Sequence, residues 1–349
     1  MLKQYINNLI RDKKSGVPAG IAKLFLLTAS YVYGATIFWH DRFYKTGILK
    51  THKVCAKIIS VGNITLGGTG KTPFTIMLAE LLANEGKKVG VLIRGYGEDE
   101  YRLLEDKLSQ RGVKVFVGRD RVKTASEAAR EGYDTIILDD GFQHRRLGRD
   151  MDITLIDSGN PFGNQRLFPR GILREKVEGL KRTDIIVLTK IKDKNGTSGE
   201  LLRKIDKIAP GKIVLEAAHR PAGLTAIINR ETKRPDYLRG RKILLLSAIC
   251  DPDYFRTTAL KTGARVESEI IFPDHYQYKK QDMARISSEC KKKKIDAVVT
   301  TEKDAVKLKE LMAGYSGPEI LALQIEMEIT KGKDRLDARL RMLYSGQGS

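Results

Sequence analysis

Short β-branched runs alternate with helix-length amphipathic stretches from residue 56 onward, the runs are almost continuously apolar, and the composition changes sharply before residue 54. These three observations predict an α/β fold: a mostly parallel sheet with helices on both faces, a smaller α/β C-terminal domain and an N-terminal amphipathic helical arm. The 349 residues, 41% hydrophobic and 30% charged, suffice for about two domains and exclude both a disordered tail and a polytopic membrane protein.

The arm, residues 1–53, carries nine Lys or Arg against Asp12 and Asp41, a net charge of +7. Its uncharged run LFLLTASYVYGATIFW, between Lys23 and His40, is shorter than the roughly 20 residues of a spanning helix. Aromatic residues (Tyr31, Tyr33, Phe38, Trp39, Phe43, Tyr44) sit beside basic ones, which suits a helix lying in a membrane interface; an amphipathic helix packed on the protein's own core is the alternative.

Candidate strands follow at AKIISVGN, KKVGVLI, VKVFVG, DTIILDD, MDITLID, DIIVLTK and KIVLEA, with helical stretches near 71–85, 99–110, 119–131 and 197–208. A second βα series begins after Arg241 with RKILLLSAI, ARVESEIIF and DAVVTT. The polar stretch 229–241, with Pro235 and Gly240, marks a boundary, so the expected domains are 1–53, 54–228 and 229–349. Cys55, Cys250 and Cys290 are odd in number and lack metal-ligand spacing, so a disulfide framework is not expected. No cleavable leader is legible at Met1, and a reducing, cytoplasmic setting is expected.

The formal charge is +20, from 63 Lys and Arg against 43 Asp and Glu, which calls for an anionic partner: nucleic acid, an acidic membrane or a phosphorylated substrate. The segment TLGGTGKTP, residues 65–73, directly follows a strand and opens a helix. There, glycines let backbone N–H groups face phosphate oxygens, Lys71 supplies charge to the β and γ phosphates, and the Thr72 hydroxyl can hold Mg²⁺. The predicted nucleotide cradle is therefore Thr65, Leu66, Gly67, Gly68, Thr69, Gly70, Lys71 and Thr72, on a P-loop NTPase-type sheet. Asp139 and Asp140 close the strand DTIILDD and can complete a metal site across the sheet's carboxyl edge. The sequel GFQHRRLGRD gathers an amide, an imidazole and three arginines; Gln143 and His144 within it, and Arg94, Arg121 and Arg174 outside it, are candidate phosphate or substrate contacts, while for Arg149 solvated surface is the alternative.

Transfer to a hydroxyl needs a base, and Asp99, Glu100, His144 and His275 all follow predicted strand ends. In a guanine-specific switch Asp would stand where Lys192 does, and TEKD at 301–304 is a poor substitute. A P-loop ATPase or GTPase of the metallochaperone or sorting type, with no sugar acceptor, is the alternative enzyme. Nothing beyond net charge favours nucleic acid, and no obligate protein partner is evident.

Seven strings occur in register over residues 60–308: SVGNITLGGTGKTPF, RGYG, GEDEYRLL, LDDGFQHRRLGRD, PRGILRE, FPDHYQY and TTEKDAVKL. Together they resemble the tetraacyldisaccharide 4'-kinase family, the lipid A 4'-kinases of Gram-negative bacteria. The resemblance implies ATP- and Mg²⁺-dependent phosphorylation of the 4'-hydroxyl of a tetraacylated glucosamine disaccharide 1-phosphate, yielding lipid IVA. It implies peripheral or monotopic attachment at the cytoplasmic face of the inner membrane, on anionic lipids. The family's catalytic Asp falls on Asp99, with Glu98 before it and Tyr101 where the family has Pro. Its partner His falls on His275, in the second domain, so that domain closure would assemble the site. Its metal-binding acids fall on Asp139, Asp140 and Glu175.

Overall fold

The computed structural model describes residues 6, 9, 10, 12, 14–95, 98–191, 197–274, 276–313 and 315–345, with only the backbone of 98–100. The chain divides into two compact units: Met1–Tyr96, Glu105–Ala218 and Ile329–Ser349 form the first, Gly97–Leu104 and His219–Glu328 the second.

The first unit opens with α1 (Val17–Lys45), 29 residues and about 43 Å long at 1.5 Å per residue. It is longer than the uncharged run because Pro18 fits the first turn and Arg42 and Lys45 complement the dipole of the last. By length and composition α1 could cross a membrane. One stripe of it is tied to the unit. The Ser30 hydroxyl donates to the Leu167 carbonyl (2.8 Å) and accepts from the Arg170 N–H (2.9 Å), the Tyr33 hydroxyl donates to the Arg174 carbonyl (2.9 Å), and Asp41 pairs with Arg145. These positions lie three, eight and eleven residues from one another, on one helical face. Leu24, Phe25, Tyr31, Val32, Phe38 and Trp39 are exposed.

The sheet of this unit contains β1 (Lys57–Asn63), β2 (Val89–Ile93), β3 (Lys114–Val117), β4 (Thr135–Asp139), β5 (Met151–Asp157), β6 (Ile185–Thr189) and the start of β7 (Ile213–Ala226), in the order β7-β6-β5-β1-β4-β2-β3. All these pairings with assigned register are parallel, and β2, β4 and β6 are buried throughout, which explains their unbroken apolar sequences. The chain builds outward from β1 to β3, returns through β4 and then continues on the other side of β1. That reversal at β1 is where ligands bind in open parallel sheets.

Helices α2 (Lys71–Asn84), α3 (Glu98–Leu108), α4 (Arg121–Arg130) and α5 (Gly199–Ile208) connect the strands. Phe74, Leu78 and Leu82 form the fully buried stripe of α2, and the Asp120 carboxylate caps α4 by accepting from the Val122 and Lys123 amides.

The second unit holds β8 (Thr232–Lys233), β9 (Lys242–Ser247), α6 (Pro252–Leu260), β10 (Arg265–Ile271), α7 (Lys280–Lys293), β11 (Ala297–Thr301), α8 (Glu302–Leu308) and most of β12 (Ile320–Lys331). Strands β10, β9, β11 and β12 pair in parallel in that order. Two apolar clusters, around Leu246, Ile286 and Val298 and around Leu245, Phe255 and Leu321, form its core.

The final helix, α9 (Lys333–Ser345), belongs to the first unit rather than to a 229–349 domain. Leu336, Leu340 and Leu343 are buried, Arg339 donates to Asp184 (2.9 Å), and the Tyr344 and Thr135 hydroxyls lie 2.9 Å apart. Apart from Gly97–Leu104, the chain leaves the first unit within β7 and returns within β12. A polar loop therefore does not mark the division, although the stretch 229–241 reads as one.

Candidate active site

The phosphate turn starts where β1 ends. Gly67 (φ 114°) and Gly70 (φ 86°) take backbone conformations that side chains disfavour, and they turn the chain from β1 into the N-terminus of α2. Gly70 is the N-cap and no side chain caps the helix, so its first amides remain available to an anion. Asn63 Nδ2 donates to Thr69 Oγ1 (3.0 Å), the Thr189 hydroxyl donates to the Thr69 carbonyl (2.8 Å), and the Leu66 amide donates to the Ile172 carbonyl (2.6 Å). The turn is thereby fixed from three sides.

Beside it, Val61 of β1 pairs with Asp139, the last residue of β4, which brings Asp140 up to Lys71 of the turn. Arg121 Nη1 and Nη2 donate to the carbonyls of Asp140 (2.9 Å) and Asp139 (3.0 Å). The clamp holds Asp140 at φ 55°, a left-handed conformation that Asp tolerates better than most residues. Arg174 Nη1 lies 2.8 Å from both Asp140 carboxylate oxygens, and Lys71 Nζ lies 3.6 Å from Oδ1. Burial opposes the charge on Asp140, but Lys71 and Arg174 outweigh it and hold the carboxyl below its ordinary range.

Glu175, expected among the metal-binding acids, sits at the centre of a bonded group. Arg182 Nη1 and Nη2 donate to its two oxygens (2.5 and 2.9 Å), and Gln143 Nε2 donates to Oε1 (2.8 Å) and to the Asn63 carbonyl (2.8 Å). Buried Glu175 thus ties Gln143 and Arg182 to the site. Arg182 also lies over the Phe142 ring, 3.8 Å from its centroid. His144 is pushed down to about 4, first by burial and then by Arg121, Arg149 and Arg146, so it is neutral at pH 7. Arg149, for which solvated surface was an alternative, is mostly buried: it pairs with Asp152 (3.3 Å) and donates to the carbonyls of Gly141, Phe142 and His144.

The oxygens that can hold a metal are the Thr72 hydroxyl and the carboxylates of Asp139, Asp140 and Glu175. All are hard oxygens, which fits Mg²⁺. Among the described residues no group of three or more His, Cys, Asp or Glu could hold a metal by itself; Mg²⁺ is commonly held by one or two carboxylates together with phosphates and water.

A sequence profile described as "LpxK: Tetraacyldisaccharide-1-P 4'-kinase" matches residues 22–344. The chain belongs to this family. A tetraacyldisaccharide 4'-kinase of Syntrophus aciditrophicus is 35% identical, over 93% of this chain and 94% of that protein. Another, of Anaeromyxobacter dehalogenans, is 33% identical over 94% and 92%. The LpxK of Aquifex aeolicus, solved in complex with ATP, superposes with a TM-score of 0.69 at 29% identity, covering 93% of this chain and all of that one.

Within this family member, Thr65–Thr72, Asp139, Asp140, Gln143, His144, Arg121 and Arg174 come together in the first unit. Arg94 follows β2, within electrostatic reach of Arg121. His275 and the Asp99 side chain lie outside the described residues. The sequence reading overlooked Asn63, Arg182 and Thr189. Asn63, immediately ahead of the turn, carried the one usable signal, a buried polar residue closing an apolar strand.

Proposed function

We propose that this chain transfers the γ-phosphoryl group of ATP to the 4'-hydroxyl of a tetraacylated glucosamine disaccharide 1-phosphate, forming lipid IVA and ADP. The observation that carries the reading is the Lys71–Asp140–Arg174 cluster beside a phosphate turn, in a chain matched almost throughout by the kinase family. Membership of that family disfavours an ATPase or GTPase without a sugar acceptor.

Phosphoryl transfer asks the protein mainly for positioning and charge neutralisation. The amides of the turn and Lys71 bind and orient the phosphates. Arg174 and Arg121, already gathered on the acids, compensate the charge that moves toward the leaving group. Thr72, Asp139, Asp140 and Glu175 would hold Mg²⁺, which would supply charge neutralisation at the phosphates when bound. Asp99 is the group to accept the hydroxyl proton, and His275 the group to keep it oriented and charged, both carried over from the family motifs. Gln143, held by Glu175, and neutral His144 are the candidate contacts to the sugar.

The acceptor is an amphiphile, and the exposed apolar side of α1 gives it a surface. With Ser30, Tyr33 and Asp41 bonded to the first unit, the helix lies along the protein, which favours an interfacial attachment over a span. The basic arm suits anionic lipids, and ATP places the reaction at the cytoplasmic face of the inner membrane. Transfer of labelled phosphate from ATP to the purified acceptor in detergent micelles tests the proposal; folded protein that hydrolyses ATP without phosphorylating the acceptor would refute it.

A further inference from the structure

The segment 164–174 touches both α1 and the phosphate turn. Its far end is laced to the turn: the Leu66 amide donates to the Ile172 carbonyl (2.6 Å), Thr65 and Leu173 form an antiparallel bridge, and the Arg174 amide donates to the Ile64 carbonyl (2.8 Å). The Arg174 side chain then bridges both Asp140 oxygens. The Arg174 carbonyl accepts from the Tyr33 hydroxyl of α1 (2.9 Å), 141 residues away in sequence. The main chain of this arginine is thus held on two sides, by β1 through its amide and by α1 through its carbonyl.

The rest of the segment is strapped to the same helix. Arg170 donates to both Asp12 oxygens (2.7 and 3.3 Å), Asn164 Nδ2 donates to the same carboxylate (3.0 Å), and Lys23 of α1 pairs with it (2.7 Å). Ser30 engages Leu167 and Arg170, and the Tyr33 ring meets Phe168 edge-on, 5.9 Å between centroids. Glycine weakens a helix interior, and at Gly34 it admits the segment, because a Cβ there would lie 2.9 Å from Leu167 Cδ1. Burial, offset in part by Arg174, raises the Tyr33 ionisation above its ordinary range, so the hydroxyl is a donor at neutral pH.

We infer that Tyr33 is a positioning residue for phosphoryl transfer: by holding the Arg174 main chain it aims the guanidinium at Asp140 and the phosphates. The inference rests on the kinase function proposed above and adds that α1, besides offering a surface to the acceptor, sets the geometry of the phosphate edge. A misplacement of about 1 Å in a positioning group can cost about 10²-fold in rate. The Arg174 amide keeps its bond to Ile64 when Tyr33 is altered, so a smaller loss is expected here.

Transfer of labelled phosphate from ATP to the acceptor in detergent micelles, read in steady state and in single turnovers, tests this with Tyr33→Phe, Ser30→Ala and Arg174→Ala. Tyr33→Phe keeps the ring against Phe168 and removes only the hydroxyl. It should lower kcat about three- to tenfold and leave the acceptor KM within about twofold. In an Arg174→Ala background the same change should do nothing further, because no guanidinium remains to be aimed. Ser30→Ala loosens α1 at Leu167 and Arg170 without touching Arg174, so it should lower the melting temperature at least as much as Tyr33→Phe but kcat less. An unchanged kcat in Tyr33→Phe, a loss of equal size with and without Arg174, a change confined to the acceptor KM, or an equal loss of kcat in Ser30→Ala overturns the inference while the unmodified chain still transfers phosphate. Absence of transfer by the unmodified chain refutes the kinase reading and this inference with it.

Discussion

Arg174 Nη1 bridges both carboxylate oxygens of Asp140 at 2.8 Å, and Lys71 approaches the same carboxylate at 3.6 Å. The carboxylate thus holds two phosphate-seeking cations on the sheet edge before any anion arrives, which places charge and metal donors together.

Asp140→Asn keeps the shape and tolerates φ 55°, so it should remove charge without refolding the loop. Turnover should fall by about 10²-fold or more, the scale for losing a preorganised electrostatic group, and the Mg²⁺ requirement should rise. Metal-free ATP binding should persist, since Lys71 and Arg174 are released to the phosphates. Titration of Mg²⁺ at fixed ATP checks this; equal loss of ATP binding and turnover would count against it.

Lys71→Ala should lower kcat about 10²- to 10³-fold. Lys71→Arg should rescue little, because a planar fork does not replace a compact ammonium at the β and γ oxygens. Single-turnover measurements separate this from slow product release.

Arg182→Ala would leave the buried Glu175 carboxylate without its clamp, which costs about 3–5 kcal/mol for a broken buried pair. Arg182→Met with Glu175→Gln should be clearly less destabilised than Arg182→Ala. Urea unfolding of the variants reads the difference.

Because His144 titrates near 4 in the fold and near 6.5 when unfolded, the unfolded chain alone takes up its proton between those values. Stability from this site is therefore full above about pH 6.5 and is lost as pH falls through about 4. The melting temperature should drop over that window, and His144→Asn should flatten the drop. The rate profile should show no His144 inflection near neutrality.

The phosphate turn and Asp139–Asp140 were legible because their signals are local: glycine spacing, Gly-Lys-Thr, and acids closing an apolar strand. Glu175 was legible as a site residue, but its bonds to Arg182 and Gln143 were not, because those residues arrive from separate segments. Thr189 reaches Thr69 across 120 residues, and no local pattern reports such a bond. In α1, Tyr33 read as an interfacial aromatic and Ser30 as part of the uncharged run, yet both belong to the docking stripe. The alternating βα pattern exposed the sheet, whereas the placement of α9 depends on Tyr344 meeting Thr135 and could not be read from its own residues.

The most direct measurement is mass and NMR analysis of the product formed from ATP and the tetraacylated disaccharide 1-phosphate, with the unmodified chain and Lys71→Ala in parallel. The account predicts one added phosphate, on the 4' oxygen, that depends on Lys71. An unmodified acceptor alongside ATP hydrolysis, or a phosphate at another position, would contradict it.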